Sequence, residues 1–424
     1  MKLPSSFFIK SRSKLKEMLP AHSALIMSSN WQMPRNGDTH FPFRQSSDLF
    51  YLTGIKYPGV TLLVSKGETD AEICEVLFIP EPNEKHIRWE GPGISADDVA
   101  QISGISNIQP EGRIQQVISK VLGNTGSIFF GTPMMHNAVP SVSNEIKIRI
   151  LFKQQLLSVE EFPLAPLMTK LRMFKEEEEI EMIKKAVEIS AEAFSSVLQK
   201  VKPELPEYEI EAILAYNISL KGSRSHAFAP IVASGANALT LHYTSNEDVC
   251  KGGELLLLDF GAEWEYYAAD ISRTIPVDGK YTNRQRDLYD AVLRVLKASI
   301  KLMQPGITLR ELNAQVGTMW EEEHVKLNLY TPEDVRKQTA NLPLWKKYSW
   351  HGISHSIGLD VHDPFEVDVK LQSGMVLSCE PGIYIENEGI GIRLEEDILI
   401  TEEAPVNLTD KIPIDPDEIE SLME

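Results

Sequence analysis

Cysteine is scarce in this chain: Cys74, Cys250 and Cys379 are the three in 424 residues, far apart and odd in number. With no CxxC pair among them, neither a disulfide framework nor a thiolate zinc finger is expected. Positive charge is short as well. Lys and Arg total 42 against 61 Asp and Glu, a net charge of −19. Such a surface repels polyanions, so the expected partners include no nucleic acid and no anionic membrane surface. Long apolar runs are missing too. The longest stretch free of Asp, Glu, Lys and Arg, Ser225 to Asn246, is interrupted throughout by Gly, Ser, Asn, Thr and His, unlike a membrane span. The opening residues become charged again at Lys10 and Arg12, which leaves no room for a secretory signal core. These absences together predict a cytoplasmic protein.

What is present reads as globular. Hydrophobic residues make up 42% and charged residues 24%, and 424 residues predict two or three domains. Up to about Leu164 short β-rich runs dominate: Leu49–Leu52, Val60–Val64 and Cys74–Ile79, with helical segments between them such as the one opening at Ser95-Ala96-Asp97-Asp98. Pro163 and Pro166 then break the pattern, and the expected division is 1–165 and 166–424. A helix is predicted from about Lys175 to Val201, with Ile180, Ile183, Val187, Ala191 and Phe194 on one face and Glu176 to Glu179 as a solvated, dipole-matched start. Pro203 to Ile210 aligns with Pro305 to Leu312 at a separation of 102 positions. Each segment follows a long amphipathic helix and opens another, which points to an internal duplication.

Each repeat continues into a candidate hairpin carrying carboxylates. Leu255–Phe260 and Tyr267–Thr274 are strand-like, and a turn at Trp264-Glu265 sets Asp259 directly across from Asp270. Two carboxylates about 5 Å apart on an apolar sheet repel unless a cation, a shared proton or an arginine lies between them. In the second repeat Val376–Tyr384 turns at Asn387-Glu388 and returns as Ile390–Glu395, so Glu380 faces Glu395 and parity sends Glu396 to the other face. Just upstream, His351, His355 and His362 fall within twelve positions. One imidazole with four carboxylates is a hard, oxygen-rich set. It suits two divalent ions such as manganese, cobalt or iron better than a thiolate-type zinc site.

On these residues the chain resembles the aminopeptidase P and prolidase family of metallopeptidases, whose catalytic domain has the pita-bread fold. The strings that carry the resemblance are Leu-Asp-Phe-Gly-Ala-Glu, Asp-Ile-Ser-Arg-Thr, His-Gly-Ile-Ser-His, Gly-Leu-Asp-Val-His-Asp, Glu-Pro-Gly-Ile-Tyr and Gly-Ile-Arg-Leu-Glu-Glu-Asp. Phe41 to Gly54 resembles the signature of the creatinase-type N-terminal domain. The resemblance implies an α+β chain: an α/β N-terminal domain, then a pita-bread domain with pseudo-two-fold symmetry. It implies that Asp259, Asp270, His355, Glu380 and Glu395 bind two divalent ions, manganese first, with cobalt, iron or zinc as alternatives. His242, His351 and His362 would be accessory histidines, Glu380 the proton carrier, and Arg393 the arginine beside the last ligand. Trp89 matches a tryptophan that in family tetramers reaches toward a neighbouring active site, so a homodimer or homotetramer is expected. The connection between Glu380 and Glu395 is shorter than in many bacterial relatives, which affects the pocket rim.

The implied reaction is release of the N-terminal residue from Xaa-Pro-Yaa peptides through a hydroxide shared by the two ions. A prolidase restricted to Xaa-Pro dipeptides uses the same ligand set. A creatinase-like metal-free hydrolase would have lost ligands, and a catalytically silent pita-bread binding module would not need them.

Overall fold

The computed structural model describes residues 2–69, 72–81, 84–131, 144–339 and 343–424. They fall into two units, Met1–Leu171 and Arg172–Glu424. The helix Ala165–Arg172 runs through the region where the two prolines suggested a division.

In the first unit, apolar residues at alternate positions build one face of a sheet. Ala24 and Ile26, Leu63, Val76 and Phe78, and Ile128 and Phe130 share a buried cluster with Ile114, Ile118 and Leu122 from the helix Ile114–Leu122. Spacings of four put those three side chains on one helical stripe, each worth about 1.5–3 kcal/mol when buried. Among the described residues the sheet has six strands, in the order Ile108–Pro110, Cys74–Ile79, Thr61–Lys66, Ser23–Ser28, Ser127–Phe130 and Glu160–Pro163. Its pairings are antiparallel at the centre and parallel toward both edges.

One sequence expectation fails here: Leu49–Leu52 is not a strand but the middle of the helix Ser47–Thr53. Ser46 caps it by accepting from the Leu49 N–H, and Gly54 ends it at φ 71°. A Cβ at Gly54 would lie 2.4 Å from the Phe8 ring, so glycine is required twice over. A four-residue apolar run carries no period of its own, and the caps decide it. The segment opening at Ser95 is helical as expected, Ala96–Ser103, with Ser95 as its cap. Trp89, in the helix Glu84–Glu90, is 79% exposed.

The second unit is built twice. Helices Glu177–Leu198 and Glu207–Leu220 open the first repeat; Asn283–Leu302 and Leu309–Lys326 open the second. The expected duplication extends to individual hydrogen bonds. Pro206 bridges Val249 and Thr308 bridges Lys370, at the same separation of 102 residues along the helix pairs. Glu204 and Gly306, both at positive φ, donate to Cys250 O and Leu371 O at 2.9 Å each. Leu205 O and Ile307 O accept the return bonds from Cys250 N and Leu371 N.

After each helix pair comes an antiparallel sheet. In the first, Leu255–Phe260 lies between Ile231–Ser234 and Ile271–Pro276. The helix Glu177–Leu198 packs on it: the Phe194 and Phe260 rings stack at 5.7 Å, and Ser190 Oγ accepts from the Ala262 N–H at 2.8 Å. In the second half, Val376–Cys379 pairs with Glu396–Leu399 in one sheet, and Gly382–Ile385 pairs with Ile390–Arg393 in another. Among the described residues no helix is long and apolar enough to cross a membrane.

Candidate metal centre

The two hairpins set the candidate carboxylates, and the first differs from expectation. Trp264 pairs with Tyr267, so the turn is Glu265-Tyr266, one residue later than the sequence suggested. Asp259 therefore sits across from Ser272, not Asp270. Both turn residues have positive φ, 51° and 73°, as a two-residue hairpin turn demands, yet neither is the Gly or Asn that normally announces one. The error is one turn residue but two ladder positions, so parity is kept and Asp259 and Asp270 stay on one face.

In the second hairpin the register is the expected one. Cys379 pairs with Glu396 and Gly382 with Arg393, and Glu380 and Glu395 oppose each other in the gap between those ladders. Glu396 points away, into an ion pair with Arg273 at 2.9 Å and a hydrogen bond from Thr409. The repeat explains the contrast between hairpins. Gly253 and Gly374, at φ 83° and 90°, hold equivalent places, which makes Asp259 the counterpart of Glu380. Val277 N donates to Glu254 O, and Ile400 N donates to Met375 O. Counting back from them, Ser272 matches Glu395 and Asp270 matches Arg393. The duplicated strands thus carry a serine and an arginine where exact symmetry of the carboxylates would have required acids.

The histidines arrive on an extended strip beside the second sheet. Ser378 N donates to His355 O at 2.8 Å and Glu380 N to Ile353 O at 2.9 Å, which places His355 next to Glu380. His242 is delivered by the loop after the short helical turn Gly235–Leu239. All nine residues singled out by sequence, His242, Asp259, Asp270, His351, His355, His362, Glu380, Arg393 and Glu395, line one cavity of about 450 Å³. Phe228, Ile231, Leu241 and Val361 form an apolar part of its wall.

His355 is the centre of the cluster. Its Nε2 lies 3.3 Å from Asp270 Oδ2, 3.6 Å from Glu380 Oε1 and 3.9 Å from Glu395 Oε1. Its Nδ1 faces Ser356 O at 3.2 Å, a contact that needs the proton on Nδ1 and turns the Nε2 lone pair toward the carboxylates. Asp270, His355 and Glu395 each offer one donor atom within 4.8 Å of the others. Asp259 joins through Arg393, whose Nη2 donates to its Oδ2 at 2.6 Å.

Sequence reasoning missed three residues that brace this set. Ser272 Oγ donates to Glu395 Oε2 at 2.8 Å and accepts from Arg393 Nε at 2.9 Å. Tyr384 OH accepts from Arg393 Nη1 at 3.0 Å and lies 2.8 Å from His351 Nε2. Asp397 Oδ2 accepts from Asp270 N at 3.2 Å. Ser272 could have been found as the repeat partner of Glu395, and Tyr384 and Asp397 close the strings Glu-Pro-Gly-Ile-Tyr and Gly-Ile-Arg-Leu-Glu-Glu-Asp.

The electrostatics show what the cluster requires. Burial, then the charges of Glu395 and Asp259, push the Asp270 carboxyl well above its ordinary range. Burial and Glu395 do the same to Glu380, and burial and Asp259 push Glu395 up to about 7. So many acids cannot all be ionised in a buried site without added positive charge. Asp259 Oδ1 and Glu395 Oε1 are buried with no hydrogen-bond partner among the described residues. Orphaned oxygens, an imidazole lone pair and carboxylates crowded on one point form a donor set that fits hard divalent cations. Burial, then Arg393, lowers His351 to about 4, and burial, then His355, lowers His362.

Comparison with known proteins agrees with the architecture. Residues 181–402 match the model of metallopeptidase family M24, and residues 8–129 match that of the aminopeptidase P N-terminal domain. The chain is 33% identical to Xaa-Pro aminopeptidase of Escherichia coli over 98% of its own length and 97% of the relative's. It superposes on a structure of the E. coli aminopeptidase P with the inhibitor Pro-Leu at a TM-score of 0.91 and 31% identity, covering 100% of this chain and 99% of that one. A zinc-substituted form of the E. coli protein in complex with product superposes at 0.90, also at 31% identity, covering 100% and 99%.

Proposed function

This chain belongs to metallopeptidase family M24, and from that premise we propose that it is a metal-dependent aminopeptidase that releases the first residue from peptides with proline in second position. The observation that carries the reading is the convergence of Asp270, Glu380 and Glu395 on His355 Nε2, with Asp259 alongside, in a cavity that also holds His242, His351 and His362. The chemistry belongs to residues 166–424, and residues 1–165 form a separate N-terminal domain. Two ions would be held by Asp259, Asp270, His355, Glu380 and Glu395. Manganese is the first choice, because the donors are one nitrogen and carboxylate oxygens. Bound there, divalent ions lower the pKa of water and polarise a carbonyl.

The chain's own groups supply the rest. Glu380 takes a proton from the attacking water and delivers it to the leaving proline nitrogen. His351 Nδ1 lies 2.9 Å from Gly352 O and donates to it, so Nε2 accepts from Tyr384 OH and the ring stays neutral at physiological pH. Tyr384 is held in turn by Arg393, which also fixes Asp259. His362, edge-on to His355 with ring centroids 4.3 Å apart, would donate to a developing oxyanion. His242 and the apolar wall of Phe228, Ile231, Leu241 and Val361 would receive the proline ring. A tertiary Xaa-Pro amide has no N–H, so a site that recognises the ring and not the amide hydrogen suits it. Prolidase activity is the less favoured reading, given the full-length similarity to an Xaa-Pro aminopeptidase.

The protein is further read as cytoplasmic and homo-oligomeric, consistent with its charge and with the exposed Trp89. The functional test is release of free alanine from Ala-Pro-Ala by the manganese-loaded protein. Release should stop on chelation and return with manganese. Undiminished release by demonstrably metal-free protein would overturn the reading.

A further inference from the structure

The segment that opens the second helix of the first repeat has a task beyond ending one helix and starting another. In the first repeat that helix begins with Glu207, whose side chain is completely buried. Its carboxylate accepts five hydrogen bonds from neutral donors. Oε1 receives Ser234 N and Ser234 Oγ, both at 2.7 Å, and Asn237 Nδ2 at 3.1 Å. Oε2 receives Tyr243 OH at 2.8 Å and Asp248 N at 3.0 Å. The helix N-terminus adds favourable potential for the charge.

One helical turn on, Glu211 Oε2 accepts from Asn246 Nδ2 at 2.9 Å. Asn246, at φ 49°, also donates to Pro230 O and accepts from Val232 N, both at 3.0 Å. The loop is thus fastened at positions 243, 246 and 248, while Leu241, His242 and Thr244 between and beside those fastenings line the cavity. In the second repeat, too, the second helix reaches a segment that carries histidines, though at a different place in the repeat. Asn313, 102 residues after Glu211, accepts from Ile353 N at 3.0 Å, midway between His351 and His355.

We infer that Glu207 is a positioning residue that sets His242 against the cavity. The inference rests on the reading of His242 as a site residue. Glutamine is the informative replacement. It keeps the shape, but its NH2 group cannot accept. Whichever way it turns, it confronts a backbone N–H, that of Ser234 or that of Asp248.

The test compares kcat/KM for Ala-Pro-Ala among the manganese-loaded wild type, Glu207→Gln, His242→Ala and the double variant. Glu207→Gln should lower kcat/KM about tenfold, and in the His242→Ala background by less than about twofold. Tyr243→Phe removes a single donor and should lose about threefold, again only when His242 is present; it carries the test if Glu207→Gln folds poorly. Hydrogen exchange of the metal-free protein gives a reading independent of activity: amides of residues 240–248 should exchange about tenfold faster in Glu207→Gln while the strand Leu255–Phe260 is unchanged. An equal loss in both backgrounds would mean a general structural role and overturn the inference. So would full activity of Glu207→Gln beside an impaired His242→Ala. A His242→Ala variant as active as wild type would instead overturn the reading of His242, and the inference with it.

Discussion

Replacing Asp363 should test whether the loop carrying His355 and His362 is held by a buried charge cluster. Asp363 Oδ1 accepts from Arg172 Nη2 at 2.5 Å, and its Oδ2 lies 3.2 Å from Lys175 Nζ. The three side chains are 1%, 4% and 1% exposed for Asp363, Arg172 and Lys175. The carboxylate ties both ends of the loop: Lys175 also reaches Ser356 Oγ at 3.2 Å beside His355, while Asp363 follows His362 directly. Gly358 makes room for it, since a Cβ there would lie 2.7 Å from the carboxylate. Breaking a buried pair by removing one partner costs about 3–5 kcal/mol, because the other charge is left in a low dielectric. Arg172 keeps Asp360 at 2.7 Å, so the cost falls mainly on Lys175. For a unit the size of Arg172–Glu424, about 2–4 °C of Tm per kcal/mol gives a fall of about 6–20 °C for Asp363→Asn. Burial raises the Asp363 pKa, but Arg172 and Lys175 outweigh it and hold the group below its ordinary value. Its contribution is therefore complete above the unfolded pKa of about 3.9 and is lost as pH falls through the lower folded value. Calorimetry of wild type and Asp363→Asn should show the full gap at neutral pH and a shrinking one below about pH 4. A neutral-pH difference under about 1 kcal/mol would refute the argument.

Glu395→Gln should abolish retained metal and activity. Glu396→Gln should keep both and cost about 2–3 kcal/mol through its buried Arg273 partner; metal content after dialysis and Tm distinguish the two. Manganese should raise Tm with the logarithm of its free concentration, and chelation should remove the gain, as calorimetry across a manganese series will report. Burial pushes Glu145 up to about 8, so the folded state holds its proton more tightly and stability falls as pH rises from the ordinary carboxylate range through 8. Glu145→Gln keeps an acceptor for Ser28 N, bonded at 2.9 Å, and should unfold at a higher temperature than wild type at pH near 9, the gain vanishing near pH 4–5.

Much of the site was legible because it depends on parity and proximity along the chain. Choosing Glu395 over Glu396 required only alternation around a turn, and the Gly389 at φ 64° that ends that turn is visible in the sequence. The first hairpin lacked such a marker. Glu265 and Tyr266 adopt positive φ without glycine, and the ladder settled two positions from expectation. Leu49–Leu52 failed for a related reason, since Ser46 and Gly54 at its ends outweighed an apolar run with no period. What could not be read at all is long-range. Arg172 meets Asp363 across 191 residues, and Glu207 gathers donors up to 41 residues away. Such contacts exist only in the folded chain, so composition and spacing carry no trace of them.

On the proposed reading, the cavity cleaves after the first residue of a chain whose second residue is proline and which continues beyond it. The most direct test is kcat/KM for Ala-Pro-Ala, Ala-Pro and Ala-Ala-Ala with manganese present. Ala-Pro-Ala should give the highest value, with Ala-Ala-Ala at least about tenfold lower, a difference of about 1.4 kcal/mol in transition-state binding. A preference of about tenfold or more for Ala-Pro would make the protein a dipeptidase, and equal cleavage of Ala-Ala-Ala would contradict proline recognition altogether.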